Sequence, residues 1–190
     1  VLEGDSILLE PQNSPMGTML RNVVIRNSTN GGVYLIVTQS HVDVVSVDVR
    51  NTSRRNGAGI QVEIPNGGSV NMSDIYMSNI TSNRSGGCFQ SEITNGSYHL
   101  LNTTCQSSRT YTVNVLDGGV GLVGTFSNAT ITMVETRWLD LHSNALGTIG
   151  CNMENGGSFL MEDSYFEQTH SIGFGGGLSM SVDGAVVTIR

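Results

Sequence analysis

The stretch GSVNMSDIYMSN (Gly68–Asn79) returns as GSFLMEDSYFEQ (Gly157–Gln168), with few identities but the same spacing of apolar side chains. Aligned on its last residue, the pattern recurs six times, ending at Asn27, Asn51, Asn79, Ser107, Asp140 and Gln168. The residues nine, seven, four and two positions earlier are mostly apolar, as in Val42, Val44, Val47, Val49 and in Val70, Met72, Ile75, Met77. Two, three, two is not a helical period. It places two side chains on one face, passes a bend, and places two more on the same face, which describes two short strands meeting at a corner.

A third alternating run follows each pair: Val33/Leu35/Val37, Ile60/Val62/Ile64, Phe89/Ser91/Ile93, Tyr111/Val113/Val115, Ile149/Cys151/Met153 and Leu178/Met180/Val182. Asn-Gly and Asp-Gly pairs close most repeats, supplying the positive φ of a tight corner. The repeat spacings are 24, 28, 28, 33 and 28. Strands that recur at this period pair in parallel only if the chain travels a full circuit between them. The sequence therefore predicts an all-β fold, a parallel β-helix of three strands per coil and six to seven coils. One domain spans 1–190, and LDGGVGLVGTFSN (116–128), the source of the long spacing, reads as a protruding loop. The register places Val44, Val49, Met72, Met77, Ile131, Trp138, Met161 and Phe166 inward, and Asp43, Asp48, Asn71, Tyr76 and Arg137 outward.

This pattern resembles the right-handed, pectin-lyase-like β-helices. The glycine-rich approaches to the third strand, NGGVY, NGAGI, SGGCF and FGGGL, are also similar to repeats of polymorphic outer-membrane and adhesin β-helices. The resemblance implies a fold that often hosts polysaccharide lyases and hydrolases. Such enzymes need outward carboxylates clustered on adjacent coils. The outward columns of the first strand (Met19, Asp43, Asn71, His99, Thr132, Leu160) and the second (Val24, Asp48, Tyr76, Thr104, Arg137, Tyr165) hold no two stacked acids. The paired-Asp and His-Gly motifs of polygalacturonases are absent. The third strand stacks Gln61 and Glu63 on Gln90 and Glu92, between Tyr34 and Ile36 on one side and Thr112 and Asn114 on the other. This row suits a solvated ladder, a sugar contact, or a Ca2+ ion between Glu63 and Glu92, the one cofactor the sequence offers. The four histidines, 41, 99, 142 and 170, share no column in this register, so a histidine metal site is not expected. No catalytic residue is assigned.

The formal charge is −7, and all nine basic residues are arginine, which argues against nucleic acid or an anionic membrane as partner. No run approaches the ~20 apolar residues of a membrane helix. The chain starts without a signal-peptide pattern, as a processed protein or a piece of a longer one would. Eight Asn-x-Ser/Thr sequons, about twice the chance number, point to N-glycosylation and hence an extracellular or cell-surface location. Asn71, Asn83, Asn95, Asn102 and Asn128 are the better acceptors. Asn27, Asn51 and Asn79 fall on the repeat anchor, where stacked asparagines also form ladders. Among the three cysteines, Cys105 and Cys151 read as buried fillers, and Cys88 as the candidate for pairing in an oxidising compartment.

Both ends look open. The chain begins VLEGDSILLEP and finishes GAVVTIR, with no capping helix, and solenoids normally cover such edges. The expected partner is a second copy, through terminal coils: Ser6, Ile7, Leu8, Leu9 and Glu10 with Val186, Val187 and Ile189. The function this favours is a secreted, glycosylated structural protein forming a head-to-tail filament or surface appendage. The alternative is a carbohydrate-active enzyme or a non-catalytic glycan-binding β-helix.

Overall fold

A computed structural model describes residues 1–13, 16–111, 119–144, 147–173 and 175–190. The strands are β1 (Leu2–Glu3), β2 (Ile7–Leu9), β3 (Thr18–Arg26), β4 (Val33–Ile36), β5 (His41–Arg50), β6 (Ser53–Asn56), β7 (Ile60–Ile64), β8 (Ser69–Ser78) and β9 (Thr81–Ser85). They continue as β10 (Phe89–Thr94), β11 (Ser97–Thr110), β12 (Leu122–Val134), β13 (Arg137–Ser143), β14 (Ile149–Glu162), β15 (Tyr165–Glu167), β16 (His170–Ser171), β17 (Leu178–Val182) and β18 (Val186–Ile189). Every strand pairs in parallel with its equivalent one turn away, giving a β-solenoid of about 6 turns with no helix among the described residues.

The two-three-two spacing has a backbone cause. Five positions before each anchor lies a residue in the left-handed region: Asn22, Ser46, Asp74, Asn102, Glu135 and Asp163. The six anchors are left-handed too, and so is a third corner at Gln39, Gly67, Asn95, Asn128, Asn155 and Gly184. Each coil thus turns at three single-residue corners, and beyond the anchor corner a short further segment, as in β6, β9 and β16, forms its own parallel column before the third-sheet strand. A left-handed residue costs an ordinary L side chain ~1–2 kcal/mol, least for Asn and Asp, which explains why these two types dominate the corners.

Inward columns form one continuous core. Val44, Val49, Met72, Met77, Ile131, Trp138 and Met161 are buried, and Phe166, in the last full coil, is half-buried against the same core. Arg137 faces solvent beside a Trp138 that is 0% exposed, so the register holds through the fifth coil. The early coils are filled by valines at 42, 44, 47 and 49, the later ones by Phe89, Tyr98, Phe126, Trp138 and Phe159. Glycine makes room for the rings. A Cβ at Gly121 would lie 2.6 Å from Trp138 Cε3, and one at Gly124 would lie 2.5 Å from Phe126 Cζ.

Four expectations need correction. The third strand of the fourth coil is Leu122–Ser127 of β12, which pairs with β10 and β14, and not the run Tyr111/Val113/Val115. Tyr111 is exposed, while 112–118 lie outside the described residues. The loop expected at 116–128 is accordingly strand from Leu122 onward. The row beyond Gln90 and Glu92 is therefore Val123 and Thr125 instead of Thr112 and Asn114. Cys105 is not a free filler: it is disulfide-bonded to Cys88, tying the start of one coil's third strand to the second strand of the next across the core. Cys151 is the free, buried thiol, pushed up to about 12 by its burial.

Candidate functional site

The outer face of the third sheet carries the strongest polar constellation expected from sequence, and the register places it as expected. One row reads Tyr34, Gln61, Gln90, Val123, Gly150, Ser179; its neighbour reads Ile36, Glu63, Glu92, Thr125, Asn152, Ser181. Glu63 Oε1 accepts from Tyr34 Oη at 2.7 Å and from Gln61 Nε2 at 2.9 Å. Burial, reinforced by that bond to Glu63, pushes the Tyr34 phenol up to about 12. The Arg54 guanidinium lies 5.6 Å from the centre of the Tyr34 ring. Glu92 is exposed. Beyond it the side chains shrink to Gly150 and Ser179, leaving a groove of about 560 Å3 lined in part by Gln90, Glu92, Thr125, Asn152 and Ser181. Gln90 Oε1 is buried there without a hydrogen-bond partner.

On the first sheet, sequence reasoning missed a hydrogen-bonded row. Ser69 Oγ is 2.6 Å from His41 Nδ1, and His41 Nε2 is 2.9 Å from Asp43 Oδ1. Asn71 Nδ2 donates to the same aspartate oxygen at 3.2 Å. The signal was present, since His41 stacks on Ser69 and Asp43 on Asn71. A serine–histidine–aspartate row can activate a nucleophile, but acyl transfer also needs donors for an oxyanion. The N–H of Ser69 donates to Ser40 C=O at 2.9 Å. The second sheet carries another hydrogen-bonded row: Arg50 grips Asp48 through two bonds of 2.7 and 2.6 Å and lies over Tyr76, whose hydroxyl accepts from Gln106.

The histidine columns differ from expectation. His142 and His170 do stack, with ring centres 6.1 Å apart, because β13 continues past its corner at Asp140. Among the described residues no three His, Cys, Asp or Glu side chains converge as metal ligands.

The sequon asparagines are all exposed. Asn79 Nδ2 donates to Asn51, Asn51 to Asn27, and Asn27 to Glu3 Oε1, at 3.1, 3.2 and 3.1 Å. Asn102 donates to Asp74 at 2.7 Å and Asn128 to Asn95 at 2.9 Å. With Asn71, six of the eight sequon amides are donors in cross-coil bonds. Asn83 and Asn95 are not.

These features define a parallel β-solenoid whose outer faces carry several polar ladders. No protein-family model, curated protein or solved structure matches the chain.

Proposed function

We propose that this is a secreted, N-glycosylated structural β-helix that associates head-to-tail into an extracellular filament or cell-surface appendage. The observation that carries the reading is a contrast within single columns. Inward positions that are fully buried in the middle coils are half-exposed in the end coils, at Leu2, Ile7, Leu9 and Leu20 on one face and at Phe166, Leu178, Met180 and Val187 on the other. Val186 and Ile189 are 65% and 57% exposed, and Leu8 57%. Strand edges without a partner among the described residues template pairing with a further strand, of adjoining chain or of a second copy, and between copies a heterologous contact that does not close propagates as a fibre.

The proposed joint continues the coil from one copy to the next. β18 lies on β14 in the first sheet, whereas β2 lies against β4 in the third. Contrary to the pairing expected from sequence, in a joint that continues the coil the run 6–10 would not lie on the run 186–189 but beside it, in a different sheet. β18 meets the start of β3, with Val187 against Thr18 and Ile189 against Leu20. β17 meets β2, with Leu178 against Ile7 and Met180 against Leu9. The sequons and the Cys88–Cys105 disulfide support an oxidising, secretory route.

Sedimentation velocity over rising concentration, with negative-stain microscopy, tests assembly. The expected result is linear oligomers that disappear when 185–190 are deleted while the far-ultraviolet circular dichroism stays native. A monodisperse monomer at high concentration overturns the reading. One observation favours a second function: the groove beside Glu92 contains the unpartnered Gln90 oxygen, which suits a glycan hydroxyl. Retardation in polysaccharide-containing native gels, abolished by Glu92→Ala, would favour glycan binding.

A further inference from the structure

We propose that Asn83 and Asn95 are the occupied glycan sites, and that the other six sequon asparagines remain unmodified as ladder residues. This rests on the secretory reading above and narrows it to two side chains.

N-glycosylation forms a bond between the asparagine Nδ2 and C1 of the first sugar. The C1–O bond to a lipid-linked diphosphate donor breaks, and one amide proton leaves. The sugar must then share space with whatever surrounds that nitrogen in the folded coil. At Asn27, Asn51, Asn79, Asn102 and Asn128 the nitrogen points at the preceding coil, one strand spacing or ~4.8 Å away, and donates to a side chain there. Asn71 donates likewise to Asp43. A sugar on any of these nitrogens displaces a rung or crowds the next one.

The remaining two differ for separate reasons. Asn83 lies in β9 where the register against β6 slips, between the paired residues Ser82 and Ser85. It is exposed, and its amide makes no hydrogen bond among the described residues. Asn95 is a corner residue with φ 53°. Its Oδ1 accepts from Asn128, so the rung above it uses the oxygen and leaves the nitrogen free. Its neighbour on the preceding coil is Gly67, which has no side chain to receive a bond. A Cβ placed there would meet nothing closer than the Asn95 carbonyl oxygen at 3.7 Å. The space other rungs fill with an acceptor is open at this corner.

The two positions also fit an elongating solenoid. Asn83 precedes β10 and Asn95 follows it, so glycans would stand at both ends of the row containing Gln90 and Glu92, in the middle of the stack. Both end faces stay clear, and lateral packing of third sheets is obstructed.

The chain, secreted from eukaryotic cells behind a leader peptide, is digested and its glycopeptides mapped by mass spectrometry, with site occupancy read from the Asn-to-Asp mass shift on enzymatic release. Glycans at Asn83 and Asn95 and unmodified peptides for the other six are expected. The variant carrying Asn83→Gln and Ser97→Ala should lose both glycan masses and keep its native circular dichroism, since Ser97→Ala removes the second sequon without touching Asn95. Predominant occupancy of a ladder asparagine overturns the inference while leaving the glycoprotein reading intact. A secreted chain with no glycan at any sequon refutes both.

Discussion

Replacing Trp138 by Ala should remove the largest buried side chain and, with it, a constraint on Gly121. The indole is 0% exposed, meets Phe89 edge-on at 6.3 Å, and donates from Nε1 to Thr136 Oγ1 at 3.0 Å. Truncation of such a ring costs about 3–5 kcal/mol, which for a chain of this size lowers the melting midpoint by roughly 6–20 °C. Gly121→Ala alone should cost about 1–3 kcal/mol through overpacking, because its Cβ would lie 2.6 and 2.8 Å from Trp138 Cε3 and Cζ3. In the Trp138→Ala background those two atoms are gone, while Thr148 Cγ2, at 2.9 Å, still crowds the new methyl. The two substitutions should therefore be non-additive, with Gly121→Ala at least ~1 kcal/mol milder in the double variant. Urea unfolding of the four proteins, followed by circular dichroism, measures the cycle. Strict additivity, or a cost under ~1 kcal/mol for Trp138→Ala, would refute the packing described for the fifth coil.

Reduction, or Cys88→Ser with Cys105→Ser, should cost about 3 kcal/mol given the sequence separation of 17, read as a shift in urea midpoint, while Cys151 resists alkylation in the native protein. Burial, and then the charge on His41, holds His99 below its ordinary value. A base depressed in the folded state contributes stability that is fully present above the unfolded value, ~6.5, and is lost as pH falls below it. The urea midpoint should drop between pH 7.5 and 5.5 and drop less in His99→Gln; equal slopes would remove His99 as the cause. Asn51→Gly keeps the left-handed corner but loses rungs to Asn27 and Asn79, costing about 1 kcal/mol. Asn51→Ala should cost ~1–2 kcal/mol more, for the corner itself, and identical midpoints for the two variants would deny Asn51 its backbone role.

The fold was legible because a corner in the left-handed region leaves a fixed mark on side-chain spacing. Two strands joined by one such residue put inward side chains three apart across the bend, and Asn22, Ser46 and Asp74 do this whatever their side chains. The fourth coil defeated the same logic. Its third strand has Gly124 at an inward position because the Phe126 ring occupies that space, so hydropathy shows a gap where packing is tight. The alternating run 111–115 offered a better hydropathy pattern, whereas the strand that pairs with β10 is Leu122–Ser127. The disulfide was illegible for another reason. Aligning columns reveals neighbours along one sheet, whereas Cys88 and Cys105 meet across the core from different sheets. Stacking of Glu63 on Glu92 was readable from register alone. The donors that Tyr34 and Gln61 bring to Glu63 depend on side-chain reach, which a hydropathy column does not encode.

The asparagine anchors join backbone conformation to assembly. Asn tolerates the left-handed corner, and its amide carries a donor and an acceptor, so each anchor can receive a bond from the next coil and give one to the last. In this chain the donors run toward the N-terminal coils, from Asn79 through Asn51 and Asn27 to Glu3, and Glu3 ends the row as a pure acceptor. From the fourth coil the anchors are Ser107, Asp140 and Gln168, which keep the conformation without continuing an asparagine ladder. That is also where the core changes from valines to aromatic rings. The early coils thus combine small inward side chains with a polar spine on the surface. The later coils bury larger apolar side chains, with glycines where the rings come close. The two halves share one backbone geometry, and it is on this likeness of successive coils that the proposed continuation by a second copy rests.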